Sequence, residues 1–243
     1  MEDAMTERVL VTGGSQSIGR GIVERLLDDG YEVTILDRVR PEPAMAARWI
    51  QVDLMDGDAT DAAVREALSD GPITRVVHNV GHVRPNLLED TKLEDFDAVM
   101  ALNVRPAIRI TQALLPGMKT ARSGRIAAIS SRAALGKELR TSYAASKSAL
   151  HGLVKTWALE LARDGITVNA VAPGSIETPL WRAANPSQDP RTQKILDSIP
   201  VGRIGVPADI ANAVAFFLDG RSSFVTGQIL YVCGGFTVGS AGV

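Results

Sequence analysis

The sequence predicts an α/β protein: a single parallel sheet of about seven strands, doubly wound, with helices on both faces. Three observations predict it. Short apolar runs recur along the chain, helical patterns fill most of the intervals, and 243 residues with 45% hydrophobic and 22% charged content can bury one large core. The runs are Val9–Val11, Val33–Leu36, Trp49–Val52, Val76–Val77, Ile126–Ile129, Ile166–Val168 and Ile229–Val232. Each is almost wholly apolar, as strands buried on both faces are. Helices are expected over Ile22 to Leu27, Asp61 to Leu68, Asp95 to Leu115, Tyr143 to Leu161 and Ala208 to Leu218. The interval Asp37 to Trp49 is the exception, because Pro41 and Pro43 leave room for little helix. No linker, repeat or low-complexity tract divides residues 1–243, so one domain is expected. Thr178 to Pro200, with Pro179, Pro186 and Pro190, is too long for an ordinary connection and reads as a substrate lid at about 178–200.

Charge and composition remove several classes. A net charge of -2 with no block of like charge argues against a nucleic-acid partner. The one cysteine, Cys233, excludes an internal disulfide framework and a multi-cysteine metal site. His78, His82 and His151 have no ligand spacing, so no metal is expected. Apolar stretches fall well short of the roughly 18–20 residues that span a bilayer, and no membrane domain is expected. The start, MEDAMTERVLVTGG, carries acids where a signal peptide needs positive charge, and the expectation is a cytoplasmic protein.

After the first strand comes Thr12-Gly13-Gly14-Ser15-Gln16-Ser17-Ile18-Gly19, running into a helix. Such a turn brings backbone close to a ligand, and the helix start presents unpaired N–H groups to a pyrophosphate. The second strand ends in Asp37, where a carboxylate accepts from both adenosine ribose hydroxyls and repels a 2′-phosphate. NAD is therefore expected ahead of NADP, with Arg38 the residue that would hold a 2′-phosphate instead. Asp53, followed by Leu54, ends the third strand, either to accept from the adenine amino group or to cap a helix. Tyr143 and Lys147, four apart, share one face of a helix. A neighbouring ammonium and a cationic nicotinamide ring would favour the phenolate. Lowering a phenol by about two or three pKa units takes roughly 3–4 kcal/mol.

In order and spacing, Thr12-Gly13-x3-Ser17-x-Gly19, His78-Asn79-Val80-Gly81, Asn103-Val104, Ser130-Ser131, Tyr143-x3-Lys147, Asn169-x3-Pro173-Gly174, Ile176-x-Thr178 and Gly227-x5-Gly234-Gly235 span almost the whole chain. Together they resemble the short-chain dehydrogenase/reductases, single-domain Rossmann oxidoreductases. The resemblance implies Tyr143 as general acid/base and Lys147 as the residue that binds the nicotinamide ribose and lowers the phenol. It implies Ser131 as the hydroxyl that positions substrate oxygen, and Asn103 as a helix-distorting support for a proton relay. Counting forward from Gly124 places the serine at Ser131, counting back from Tyr143 places it at Ser130, and the forward count is preferred because a strand cannot lose a residue. Gly13, Ser15, Gln16, Ser17, Ile18, Gly19, Asn79, Val80, Gly81, Pro173 and Gly174 are expected along the dinucleotide. The backbone of Ile176 and the hydroxyl of Thr178 are expected at its carboxamide.

Four positions depart from the family pattern: Ser17 for a glycine, His78 and Val80 for Asn and Ala, and Cys233 for an Asp. The activity implied is hydride transfer between NAD and a secondary alcohol or ketone. An NADPH-dependent 3-oxoacyl-type ketoreductase is the alternative, and a non-catalytic dinucleotide sensor a remoter one. Arg132, Leu180 and Trp181 are the candidate substrate contacts. The cations Arg132, Lys137, Arg140, Arg182 and Arg191 either suit an acidic substrate or only keep the lid solvated. The resemblance implies a homotetramer, in keeping with the many apolar positions of the third and fourth predicted helices, Trp157 among them, and of Phe224 to Val243.

Overall fold

The structure, a computed structural model, describes residues 7–238 apart from the side chains of Leu180 and Ala184. Seven strands form one sheet: β1 (Arg8–Thr12), β2 (Glu32–Asp37), β3 (Arg48–Gln51), β4 (Arg75–His78), β5 (Gly124–Ile129), β6 (Ile166–Pro173) and β7 (Ile229–Val232). Their order is β3-β2-β1-β4-β5-β6-β7 and every pairing is parallel. All seven expected strands form. Side chains alternate across the pleat into two cores, one with Leu10, Leu36, Val76, Ile126 and Val168, the other with Val9, Val11, Ile35, Val77 and Val171.

Helices α1 (Ser17–Asp28) and α8 (Pro207–Leu218) cover the second face, presenting Ile22, Val23 and Leu26 and Ile210, Val214 and Leu218. Helices α2 (Gly57–Leu68), α4 (Arg105–Ala121) and α5 (Thr141–Leu161) cover the first. No helix joins β2 to β3, as the prolines there require. The single helix expected over Asp95 to Leu115 is instead two, α3 (Leu93–Asn103) and α4. Pro106 lacks an N–H and its ring collides with the carbonyl four residues back, so the chain breaks at Val104, where φ is -123° and ψ is -51°. Pro116 is carried inside α4, at the cost of one hydrogen bond. Residues 178–200 contain two short helices, α6 (Pro179–Ala184) and α7 (Pro190–Asp197), capped by Thr178 and Asp189.

Buried arginines close the amino edge of the sheet. Arg75 Nε donates to the Leu218 carbonyl at the end of α8 at 3.0 Å, and Arg125 Nη2 to that of Gly220, just beyond it, at 3.2 Å. Trp157 packs partly buried against the first core, so it is not the exposed apolar residue the sequence suggested. Among the described residues no helix is long and apolar enough to cross a membrane, and no cluster of three or more His, Cys, Asp or Glu side chains could hold a metal ion.

Candidate active site

Because every strand runs the same way, the loops after β1, β2, β4, β5 and β6 all emerge at the carboxyl edge, where open α/β sheets bind ligands. The turn after β1 is tied to the end of β4. The buried Thr12 hydroxyl accepts from the N–H groups of Asn79 at 2.9 Å and Val80 at 3.1 Å. The Asn79 amide donates to the carbonyls of Thr12 and Gly13 at 3.1 and 2.8 Å, so it braces the turn. A Cβ on Gly19 would lie 2.0 Å from the Gly13 oxygen and 2.6 Å from Asn79 Nδ2. Helix α1 therefore starts against bare backbone. Gln16 gives it no side-chain cap, and the N–H groups of Ser17, Ile18 and Gly19 precede the first intrahelical donor, Arg20, which bonds Gln16. Such a cradle fits a pyrophosphate. Ser17 holds φ at +51°, the left-handed region a glycine would take without strain.

Asp37 is fixed beside that turn. One carboxylate oxygen accepts from Ser15 N at 3.1 Å, the other from Val39 N at 3.1 Å, and the Ser15 hydroxyl donates to the Val39 carbonyl at 2.6 Å. Each oxygen keeps a lone pair for a ribose hydroxyl. Arg38 is exposed and has no ion-pair partner among the described residues. Asp53 accepts from Met55 N at 3.0 Å, and α2 is capped by Asp56, so the helix-cap role considered for Asp53 is not the one that forms. The Leu54 side chain is in the core, which leaves only its backbone for a ligand.

Ser131, Tyr143, Lys147 and Asn103 come together at the carboxyl edge of the sheet. Lys147 is 3% exposed, and its Nζ donates to the Ile129 carbonyl at 2.7 Å and lies 5.6 Å from the centre of the Tyr143 ring. Burial lowers its pKa to about 8. A Cβ on Gly81 would be 3.1 Å from Asn103 Oδ1 and 3.3 Å from Lys147 Nζ, so a side chain at residue 81 would press on both. Asn103 ends α3. Its Oδ1 accepts from His82 N at 2.9 Å while its Nδ2 donates to the His82 carbonyl and to Ser146 Oγ, both at 3.0 Å. Helix α3 ends at this residue, and the amide locks the loop after β4 against α5.

The two serines separate cleanly. The Ser131 hydroxyl faces the phenol and favours its ionised form, while also accepting from Ala133 N at 3.1 Å. Ser130 turns away, donating to the Lys147 carbonyl at 3.2 Å and meeting His151 Nε2 at 2.6 Å. Burial pushes the Tyr143 phenol above its usual value, opposed by Ser131 and then by the charge of Arg140, so the buried surroundings do not by themselves hold the phenol acidic.

After β6, the bridge between Ile176 and Gly205 is made by its flanks, Glu177 N to the Gly205 carbonyl at 2.8 Å and Gly205 N to the Ser175 carbonyl at 3.1 Å. A parallel bridge leaves the central residue's own N–H and C=O on the other side, available as a donor and acceptor pair. The Thr178 hydroxyl accepts from Trp181 N at 3.1 Å and keeps its proton to donate. Pro173 pairs with Val232, and Gly174 packs against Cys233. Leu180, expected at the substrate, has a side chain outside the described residues. Trp181 is half-buried. Sequence reasoning missed Ser146 and Phe236. Ser146 lies three residues after Tyr143 and so on the same helix face, which was a usable signal; Phe236, which carries the Arg132 guanidinium 3.9 Å above its ring, gave none.

A seven-stranded parallel sheet in this order, with a pyrophosphate cradle and a tyrosine–lysine pair in one cleft, defines the class of dinucleotide-dependent oxidoreductases. A family model described as enoyl-(acyl carrier protein) reductase matches residues 13–237. The chain is 36% identical over 244 residues to a 3-oxoacyl-[acyl-carrier-protein] reductase, FabG, of Staphylococcus aureus, covering 95% of this chain and 98% of that protein. It is 37% identical over 237 residues to the BbsD subunit of (2S)-[(R)-hydroxy(phenyl)methyl]succinyl-CoA dehydrogenase of Thauera aromatica, covering 93% and 94%. Ligand-free aldohexose dehydrogenase of Thermoplasma acidophilum superposes with a TM-score of 0.90 at 32% identity, over 98% of this chain and 96% of that one. Levodione reductase does so with 0.88 at 26%, over 96% and 98%. The chain belongs to the short-chain dehydrogenase/reductase family. It is an oxidoreductase that moves a hydride between a nicotinamide dinucleotide and a CH–OH or keto group.

Proposed function

We propose that this is a cytoplasmic, NAD(H)-dependent oxidoreductase of secondary alcohols and ketones in which Tyr143 carries the substrate's hydroxyl proton. The observation that supports it most is the convergence of the Ser131 hydroxyl, the Tyr143 phenol and the Lys147 ammonium on one cleft floored by Gly81. The dinucleotide supplies the hydride chemistry. Ser131 donates to or accepts from the substrate oxygen and so fixes its distance from the phenol. Protonated, as burial favours, Tyr143 gives its proton to a carbonyl oxygen; ionised, it takes the proton of an alcohol. Lys147, anchored through Ile129, keeps two further N–H donors for the nicotinamide ribose. Asn103 sets the loop that carries Gly81. Ile176 and Thr178 hold the carboxamide, and residues 178–200 close over the substrate, with Leu180 and Trp181 beside it.

Asp37, tied to Ser15 in the turn after β1 and to Val39 after β2, supports NAD over NADP. Wild type is expected to bind NADH at least about tenfold more tightly than NADPH, since a 2′-phosphate of about two negative charges would face a fixed carboxylate. Asp37→Ala should narrow or reverse that ratio in fluorescence titrations. Equal affinities in the wild type would remove the basis for the NAD assignment. They would support the second reading, an NADPH-dependent 3-oxoacyl reductase, which the FabG relatives and the unpaired Arg38 favour.

The same reading includes a homotetramer. Leu159 on α5 is 85% exposed and Phe224 fully so, large apolar surfaces that a second copy would cover. Light scattering at micromolar concentration should give a mass near four chains, and a monomer would refute it.

A further inference from the structure

Beside the candidate active site lies a group of cations with no anion to answer them among the described residues. Arg132 directly follows Ser131 and is half-buried, its guanidinium stacked on Phe236 with 3.9 Å between the central carbon and the ring centre. Stacking fixes the plane of a guanidinium and leaves its N–H edge free to donate. Among the described residues neither Arg132 nor Lys137 makes a side-chain hydrogen bond or ion pair, and Arg140 bonds only the Leu139 carbonyl, at 2.9 Å. Glu138, in the same loop, pairs with none of them. The three cations nevertheless feel one another: Lys137, exposed at the surface, is lowered by partial burial and then by the charges of Arg132 and Arg140. Arg140 also acts on the Tyr143 phenol, which ties the cluster to the reacting end of the cleft. Other arginines of the chain, such as Arg8, Arg48, Arg75 and Arg203, each meet a carboxylate. A partly desolvated cation without a partner is unfavourable until a ligand supplies the opposite charge.

We propose that Arg132, assisted by Lys137 and Arg140, is an anion subsite, and that the natural substrate carries a carboxylate or phosphate group within a few bonds of its reacting carbinol or carbonyl carbon. This rests on the proposed alcohol and ketone chemistry, and narrows its substrate class. Arg132 adjoins Ser131 in the chain and Arg140 acts on the Tyr143 phenol, so the proposed subsite takes an anion borne near the reacting carbon. A phosphopantetheine thioester, whose nearest phosphate lies a long flexible arm away, does not meet that requirement.

The test compares kcat/KM with saturating dinucleotide for 3-hydroxybutyrate, its methyl ester, its N-acetylcysteamine and coenzyme A thioesters, and 2-hydroxypropylphosphonate, in wild type, Arg132→Gln and Arg132→Lys. The compact anions should exceed the methyl ester by about tenfold or more, mostly through KM, since a charge-assisted hydrogen bond contributes on that scale. Carboxylate and phosphonate arms separate the two anion chemistries. Arg132→Gln should lower the acid-to-ester ratio about tenfold and Arg132→Lys should restore part of it. High salt should compress the wild-type ratio. A wild-type ratio near one, a preference for the thioesters, or an unchanged ratio in Arg132→Gln would overturn the subsite while leaving alcohol oxidation intact. If no substrate turns over, the proposed function itself fails. Calorimetric titration of acetoacetate into the dinucleotide-bound protein then decides the subsite separately, with Arg132-dependent binding expected and no binding fatal to it.

Discussion

Tyr143→Phe should lower kcat about a thousandfold with either reaction direction, while NADH affinity stays within about twofold of wild type. The Tyr143 hydroxyl faces Ser131 with a cation beside its ring, and phenylalanine keeps the ring packing while removing the proton. The loss is expected in kcat more than in KM, because proton transfer matters in the transition state and substrate contacts through Ser131 persist. Lys147→Ala should differ in kind. It removes a buried cation anchored to Ile129, so both dinucleotide affinity and turnover should fall. Turnover by Tyr143→Phe within tenfold of wild type would mean that another group moves the proton.

Adding one carbon at Gly19 and removing the side chain at Ser17 should act in opposite directions on the same turn. Gly19→Ala puts a Cβ 2.0 Å from a backbone carbonyl that Asn79 also holds, so no side-chain rotation relieves it. The turn must open, at a cost of about 1–3 kcal/mol of stability. At least about tenfold of NADH affinity should go with it, since the N–H cradle loses its shape. Ser17→Gly relieves a left-handed residue at φ +51°, a gain of about 0.5–1 kcal/mol after the added freedom of the unfolded glycine is set against it. That corresponds to a rise in Tm of about 1–3 °C. Thermal unfolding of both variants, with and without NADH, measures the pair, and a wild-type Tm for Gly19→Ala would show that the turn tolerates a side chain.

The strands were legible because a buried parallel strand is almost wholly apolar, and short β-branched runs such as Val9–Val11 and Ile126–Ile129 suit little else in an α/β chain. The α3–α4 break was not, because apolar periodicity continues through Val104 and only Pro106 betrays the change of direction. Placements fixed by spacing on one element were readable, as with Tyr143 and Lys147 on α5, and so was Asp37 at the end of β2. Bracing contacts were not. Asn79 was expected on the ligand, yet its amide is spent on the turn, since which way an amide faces depends on the packing of β1 against β4. The phenol's acidity is hidden for a related reason: spacing places an ammonium nearby, but the burial that raises the phenol comes from the surrounding fold.

The pH dependence of alcohol oxidation at saturating NAD tests proton transfer by Tyr143 most directly. Oxidation needs the ionised phenol, so kcat should climb with pH through one ionisation, while ketone reduction falls through the same one. The residual rate of Tyr143→Phe should lack that ionisation. An identical profile in wild type and Tyr143→Phe would contradict the account.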